Sequence, residues 1–141
     1  MHSEHLGNVR PTWIAFGWFL SAAATALAVF GLIGIGLLHP DADAGRGWMT
    51  VCVAAGFFLG GYFTGARAGA APILHAVGIG LFSLVAWFLL NLVLGGVTGA
   101  AEWRSLPAWL TAGLLLLQIV AAAIGARLGS RDARRGNRSA A

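Results

Sequence analysis

Four long apolar runs separated by short polar breaks organise the chain. The first extends from Thr12 to Leu38, with Ser21 and Thr25 its polar interruptions. The second covers 48–67, the third 72–94 and the fourth 107–128. Crossing about 30 Å of hydrocarbon takes roughly 20 helical residues. Each run therefore predicts one transmembrane helix, and the chain is predicted to be an all-α, four-helix integral membrane bundle. Residues 1–11 are left as an N-terminal segment, and 129–141 as a basic tail expected to be disordered.

The breaks carry the turn chemistry this layout needs. The first, His39–Gly47, is rich in Pro, Asp and Gly; Ala68–Ala71 form the second, and Gly95–Leu106, with Glu102, Trp103 and Arg104, the third. Pro72 and Pro107 open the third and fourth runs, where a missing N–H costs no helical bond. Ser105 is placed to cap the fourth. Ala24-Thr25-Ala26 resembles a cleavage site, yet the apolar run continues well past it, so an uncleaved span is expected rather than a signal peptide.

Composition sharpens this picture. Apolar residues make up 58% of the 141 and charged ones 10%, with a mean hydropathy of +0.79. A water-soluble domain carries roughly a quarter of its residues as charges, so a soluble globule, a disordered chain and a soluble coiled coil are excluded. All nine basic residues are arginine, and 21 residues are glycine, a usage associated with GC-rich bacterial genomes. Arg127, Arg131, Arg134, Arg135 and Arg138 crowd into the C-terminal tail. The net charge of +4 is thus mainly a tail property and does not point to nucleic acid.

With four spans, both termini share one side with the link between the second and third. Seven arginines fall on that side and only Arg46 and Arg104 on the other, so both termini are expected in the cytoplasm of a multi-pass inner (plasma) membrane protein. Trp13 suits the inner interface, and Trp48, Trp103 and Trp109 the outer one.

Small residues mark the packing faces. Gly56 and Gly60, then Gly61, Gly65 and Gly69, repeat every four residues along the second span. Such faces let a neighbouring backbone approach closely, either within the bundle or in a homo-oligomer or with a membrane-protein partner. The first span offers Ser21, Thr25 and Ala26, with Gly31, Gly34 and Gly36 near its far end. Gly65-Ala-Arg-Ala-Gly69 recurs as Gly125-Ala-Arg-Leu-Gly129, which either duplication or convergence explains.

Candidate chemistry is sparse. Gln118 lies about 16 Å along its helix from Pro107, with Ser83 and Thr25 at matching mid-span depth. Such residues form interhelical hydrogen bonds or line a solute path. His75, one turn into the third span, either bridges at the headgroup level or senses pH. Asn91 reads as interfacial. The Asp41 and Asp43 loop lacks the further ligands of a calcium site. Cys52 is the single cysteine, and no metal or cofactor spacing occurs. No span contains a carboxylate, which disfavours a proton-coupled exporter of the small four-helix type. No nucleophile–base pair or phosphate loop occurs either, so an enzyme is not expected.

Gly60-Gly-Tyr-Phe-Thr-Gly-Ala-Arg-Ala-Gly69, followed by Leu74-His75, resembles the YrzE-like family of small four-helix bacterial membrane proteins. Gly60, Gly61, Gly65, Arg67, Leu74 and His75 match its pattern, and Ala76 stands where a glycine is common. The resemblance covers about twenty residues of one hairpin. It implies the four-helix architecture and draws attention to Arg67 and His75 without giving them a task. The expected role is a structural or interaction module packed through glycine-rich helix faces. The alternative is a small oligomeric transporter or channel with a polar path near Gln118, Ser83 and Thr25. The arginine tail either binds anionic lipid or sets topology alone.

Overall fold

A computed structural model describes residues 6–38, 43–68, 71–98 and 107–139. A short 3-10 turn at Leu6–Asn8 precedes α1 (Pro11–Gly34), α2 (Asp43–Ala68), α3 (Pro72–Thr98) and α4 (Ala108–Ser139). All four are long and apolar enough to cross a membrane, the pattern of a multi-pass membrane protein. The polar stretch 39–42, the third link from 99 to 106 with Glu102, Trp103, Arg104 and Ser105, and Gly69 lie outside the described residues.

Besides α3, which continues to Thr98 past the expected end at Leu94, three helix ends depart from the apolar runs. Hydropathy carries the first span to Leu38, but α1 stops at Gly34. There Gly36 takes a φ of 74°, its N–H donates to Ile33 O at 3.0 Å, and the Leu37 N–H donates to Leu32 O at 3.0 Å. This paired closure needs a left-handed residue that glycine supplies without strain. Gly36 thus ends a helix rather than packing one. Replacing it with alanine is expected to cost about 1 kcal/mol, whereas Gly34→Ala, in open space at a helical position, should be neutral or better in thermal unfolding. α2 begins at Asp43, taking in residues that hydropathy assigns to the link.

The third departure is a correction. The segment expected as a disordered tail from 129 is the last three turns of α4, helical to Ser139. Close packing on α2 extends the helix: Gly129 lies against the Tyr62 and Ala66 backbone. Ser130 is buried and donates to Arg127 O at 3.0 Å. The Tyr62 hydroxyl donates to Asp132 Oδ2 at 3.1 Å.

α2 is the central helix, packed on α1 along one side and on α4 along another. Gly61 faces Ala122 and Gly65 faces Ala126. Numbers rise together on the two helices, so α2 and α4 run parallel. α1 crosses α2 antiparallel, with Gly56 against Ser21 and Thr25, and Gly60 against Gly17 and Ser21. α3 completes the bundle against α4 and α1 and meets α2 lightly. One cluster, Phe57, Ile79 and Ala121 with Trp18 and Ile14 against it, joins all four helices; a second, Ala76, Ala122 and Ala126, seals α3 to α4.

Burial is uneven along the bundle axis. The fully buried side chains of Ser21, Thr64, His75 and Ile79 all lie in the half that carries the termini. Toward the other end α3 leaves the core: from Leu81 to Val93 most of its side chains are exposed, and Leu27, Phe30 and Ile33 of α1 are exposed as well. The bundle is clamped at its terminal end and opens toward its loop end.

Candidate functional site

Hydroxyls in this bundle are mostly satisfied by their own helix. Ser21 Oγ donates to Gly17 O and Thr64 Oγ1 to Gly60 O, each at 2.8 Å. Asn91 Nδ2 likewise donates to Trp87 O at 2.8 Å. Bonding back to residue i−4 hides a polar group without a second helix, so Ser21 and Thr64 can sit inside tight glycine contacts.

His75, like the Tyr62–Asp132 pair, links separate elements. It is fully buried, its Nδ1 lies 2.9 Å from Ala71 O, and the Arg10 backbone N–H donates to Nε2 at 3.1 Å. A neutral ring with its proton on Nδ1 satisfies both contacts. Arg10 is the residue before α1, and its side chain makes no capping bond. Ala71, before α3, holds a φ of 48°, and its carbonyl also accepts the His75 N–H at 3.1 Å. One imidazole therefore ties the start of α1 to the start of α3.

Among the mid-span residues, the fold brings two together and sets one apart. Ser83 and Gln118 line a cavity of about 100 Å³ between α3 and α4, walled by Trp87, Thr111, Leu114 and Leu115. Gln118 Oε1 itself is buried, with no hydrogen-bond partner among the described residues. Thr25 stands in the α1–α2 contact beside Gly56, its hydroxyl also without a partner among the described residues. The cavity exists because α3 diverges beyond Gly80, which receives the Ile119 side chain; one turn further on, small Ser83 faces α4 across a gap.

The glycine faces are spent inside the chain. Gly56, Gly60, Gly61, Gly65, Gly125 and Gly129 each lie so close to a neighbouring helix of the same chain that a methyl group would overlap it. Gly31, Gly34 and Gly113 have open space instead. The two halves of the repeated motif meet each other, with Gly65 against Ala126 and Gly125 against Phe58 and Tyr62.

At the terminal end, Arg10, Arg67, Arg127, Arg131, Arg134 and Arg135 are exposed. At 100° per residue, Arg127, Arg131, Arg134, Arg135 and Arg138 fall within about 100° of the α4 surface. Gly129 and Ser130 take the side that packs on the bundle. Asp132, whose bond to Tyr62 pins this stretch, is a residue that sequence reasoning passed over. The available signal was slight: the single tyrosine of the chain and the only acid after Glu102.

Comparison of the chain with family models, with curated proteins and with solved structures gives no match.

Proposed function

We propose that this chain is a multi-pass protein of the bacterial inner membrane that works as a structural and interaction module, with both termini in the cytoplasm. The carrying observation is the continuation of α4 to Ser139 with its arginines gathered on one side. That surface suits the anionic headgroups of a lipid bilayer. The arginine bias toward the same end supports the orientation. The YrzE-like resemblance supports the same small-bundle class and adds no activity. Because the glycine faces are occupied within the chain, assembly with a second copy or another membrane protein would use the open loop end.

Each arginine near an anionic surface contributes about 1 kcal/mol, falling off over a Debye length of about 8 Å. Replacing Arg131, Arg134, Arg135 and Arg138 together by glutamine is expected to lower retention of anionic lipid several-fold, measured by mass spectrometry of protein purified from mixed neutral and anionic vesicles. The effect should shrink in high salt. Retention equal to that of the parent chain would remove lipid binding from this reading and leave the arginines as topology determinants.

The cavity that joins Ser83 to Gln118 favours solute handling as a second reading. A path through all three mid-span residues is not supported by the position of Thr25, which lies in another helix contact.

A further inference from the structure

We propose that His75 is an acid-released latch, which holds the start of α1 against the start of α3 while its ring is neutral and lets α1 go when the ring takes up a proton. The two ring contacts fit one protonation state. The Arg10 main-chain N–H can only donate and meets Nε2 at 3.1 Å. The Ala71 carbonyl can only accept and meets Nδ1 at 2.9 Å. A neutral ring with its proton on Nδ1 serves both, whereas a charged imidazole carries a proton on each nitrogen. Its Nε2–H would point at the Arg10 N–H, donor against donor. The bond to Ala71 survives that change, so the arm that opens is the one to α1.

Among the described residues, nothing stands ready to accept from a charged ring at this point. His75 is fully buried. The packed elements bring arginines to this end: Arg10 ahead of α1, Arg67 in the last turn of α2, and Arg127 and Arg131 on α4, all exposed. Pro72, Ile73 and Leu74, the first turn of α3 itself, carry no charge. Asp132 of α4 is the acid described at this end, and it accepts from the Tyr62 hydroxyl at 3.1 Å. The proton therefore enters as the latch opens: the ring meets water, charges there and no longer fits.

The first turn of α1 depends on this anchor. Arg10 O accepts from the Trp13 N–H at 3.0 Å and from the Ile14 N–H at 3.4 Å, so freeing Arg10 frays those bonds. Deeper along α1, Gly17 packs against Thr64 and Ile79 and keeps the rest of the helix in place. Opening takes up one proton, so acid favours the open form and alkali the closed one. An imidazole in water takes its proton near pH 6.5, and each pH unit below that favours opening by up to about tenfold. In the orientation proposed above this end meets the cytoplasm, although the latch itself does not depend on that orientation.

Hydrogen exchange of the full-length protein in detergent, read by mass spectrometry from pH 5 to pH 8 and corrected for the intrinsic pH dependence of exchange, tests the latch. Opening at the start of α1 is expected to rise about tenfold from pH 7.5 to pH 5.5, while the amides of the α2–α4 seam stay level. His75→Gln keeps an acceptor within reach of the Arg10 N–H and cannot titrate, so its protection should be flat across the range. His75→Phe has no acceptor and should be open at every pH. Joint replacement of His2→Gln and His5→Gln leaves the latch intact and should preserve the rise. A flat profile in the parent chain, or a rise that persists in His75→Gln, overturns the proposal. A rise lost with His2 and His5 assigns the titration to the N-terminal segment and overturns it equally. None of these outcomes bears on the arginine surface of α4.

Discussion

Leucine at Gly65 is expected to destroy the folded bundle, at a cost above about 3 kcal/mol. A Cβ at this position would stand 2.6 Å from Ala126 Cα and 2.7 Å from its carbonyl carbon. Both are backbone atoms, so no side chain can rotate away. Overpacking usually costs 1–3 kcal/mol, and here relief requires moving α4 as a whole. Parting the helices would also undo the reciprocal contacts, in which Gly125 meets the Phe58 and Tyr62 backbone and Gly129 the Tyr62 and Ala66 backbone. Gly65→Ala should show an intermediate loss. Leucine at Gly31 or Gly113, where open space surrounds the backbone, is expected to stay within about 0.5 kcal/mol of the parent. Equilibrium unfolding in mixed detergent compares all four. Equal behaviour of Gly65→Leu and Gly113→Leu would mean that the α2–α4 seam does not hold the protein together.

The second large effect belongs to His75. Alanine there leaves the Arg10 N–H without its acceptor and opens a cavity in a fully buried position. Losing this partly buried hydrogen bond costs about 0.5–1.5 kcal/mol, and the volume lost at the buried ring adds about 2 kcal/mol. A total near 3 kcal/mol is expected. His75→Phe separates the two causes, because it restores most of the volume and neither hydrogen bond. If phenylalanine recovers full stability in the same unfolding assay, the bridge between α1 and α3 is packing alone. A second signature should accompany the loss. The amides at the start of α1 should exchange faster with solvent in both variants, since their anchor is gone while α2 and α4 stay paired.

The existence of four helices was legible because length and apolarity decide it, and no tertiary contact can reverse a run of twenty apolar residues. Helix ends were less legible. Gly36 carries the same letter whether it packs a helix or terminates one; only its φ of 74° separates the two roles. The stretch after Gly129 reads as a charged tail from composition, yet Gly129 and Ser130 place it on α2 and keep it helical. Gly60, Gly61 and Gly65 were recognisable as close-packing positions. Their partners were not, because spacing along one helix carries no information about which neighbour lies opposite. The candidate site was half legible for the same reason. Matching depth grouped Ser83, Gln118 and Thr25, but depth fixes only one coordinate, and the direction around each helix set Thr25 elsewhere.

The parallel seam between α2 and α4 also has a consequence for biosynthesis. α1 and α2 can close on each other as soon as both have emerged, since their contact joins neighbours in sequence. The other side of α2 must wait until the last helix is made, with all of α3 synthesised in between. Through that interval Gly61 and Gly65 form an uncovered groove in the middle of the nascent protein. The final span is thus the keystone, and a chain halted before Ala108 would expose to every neighbouring helix the surface that the finished protein keeps for itself.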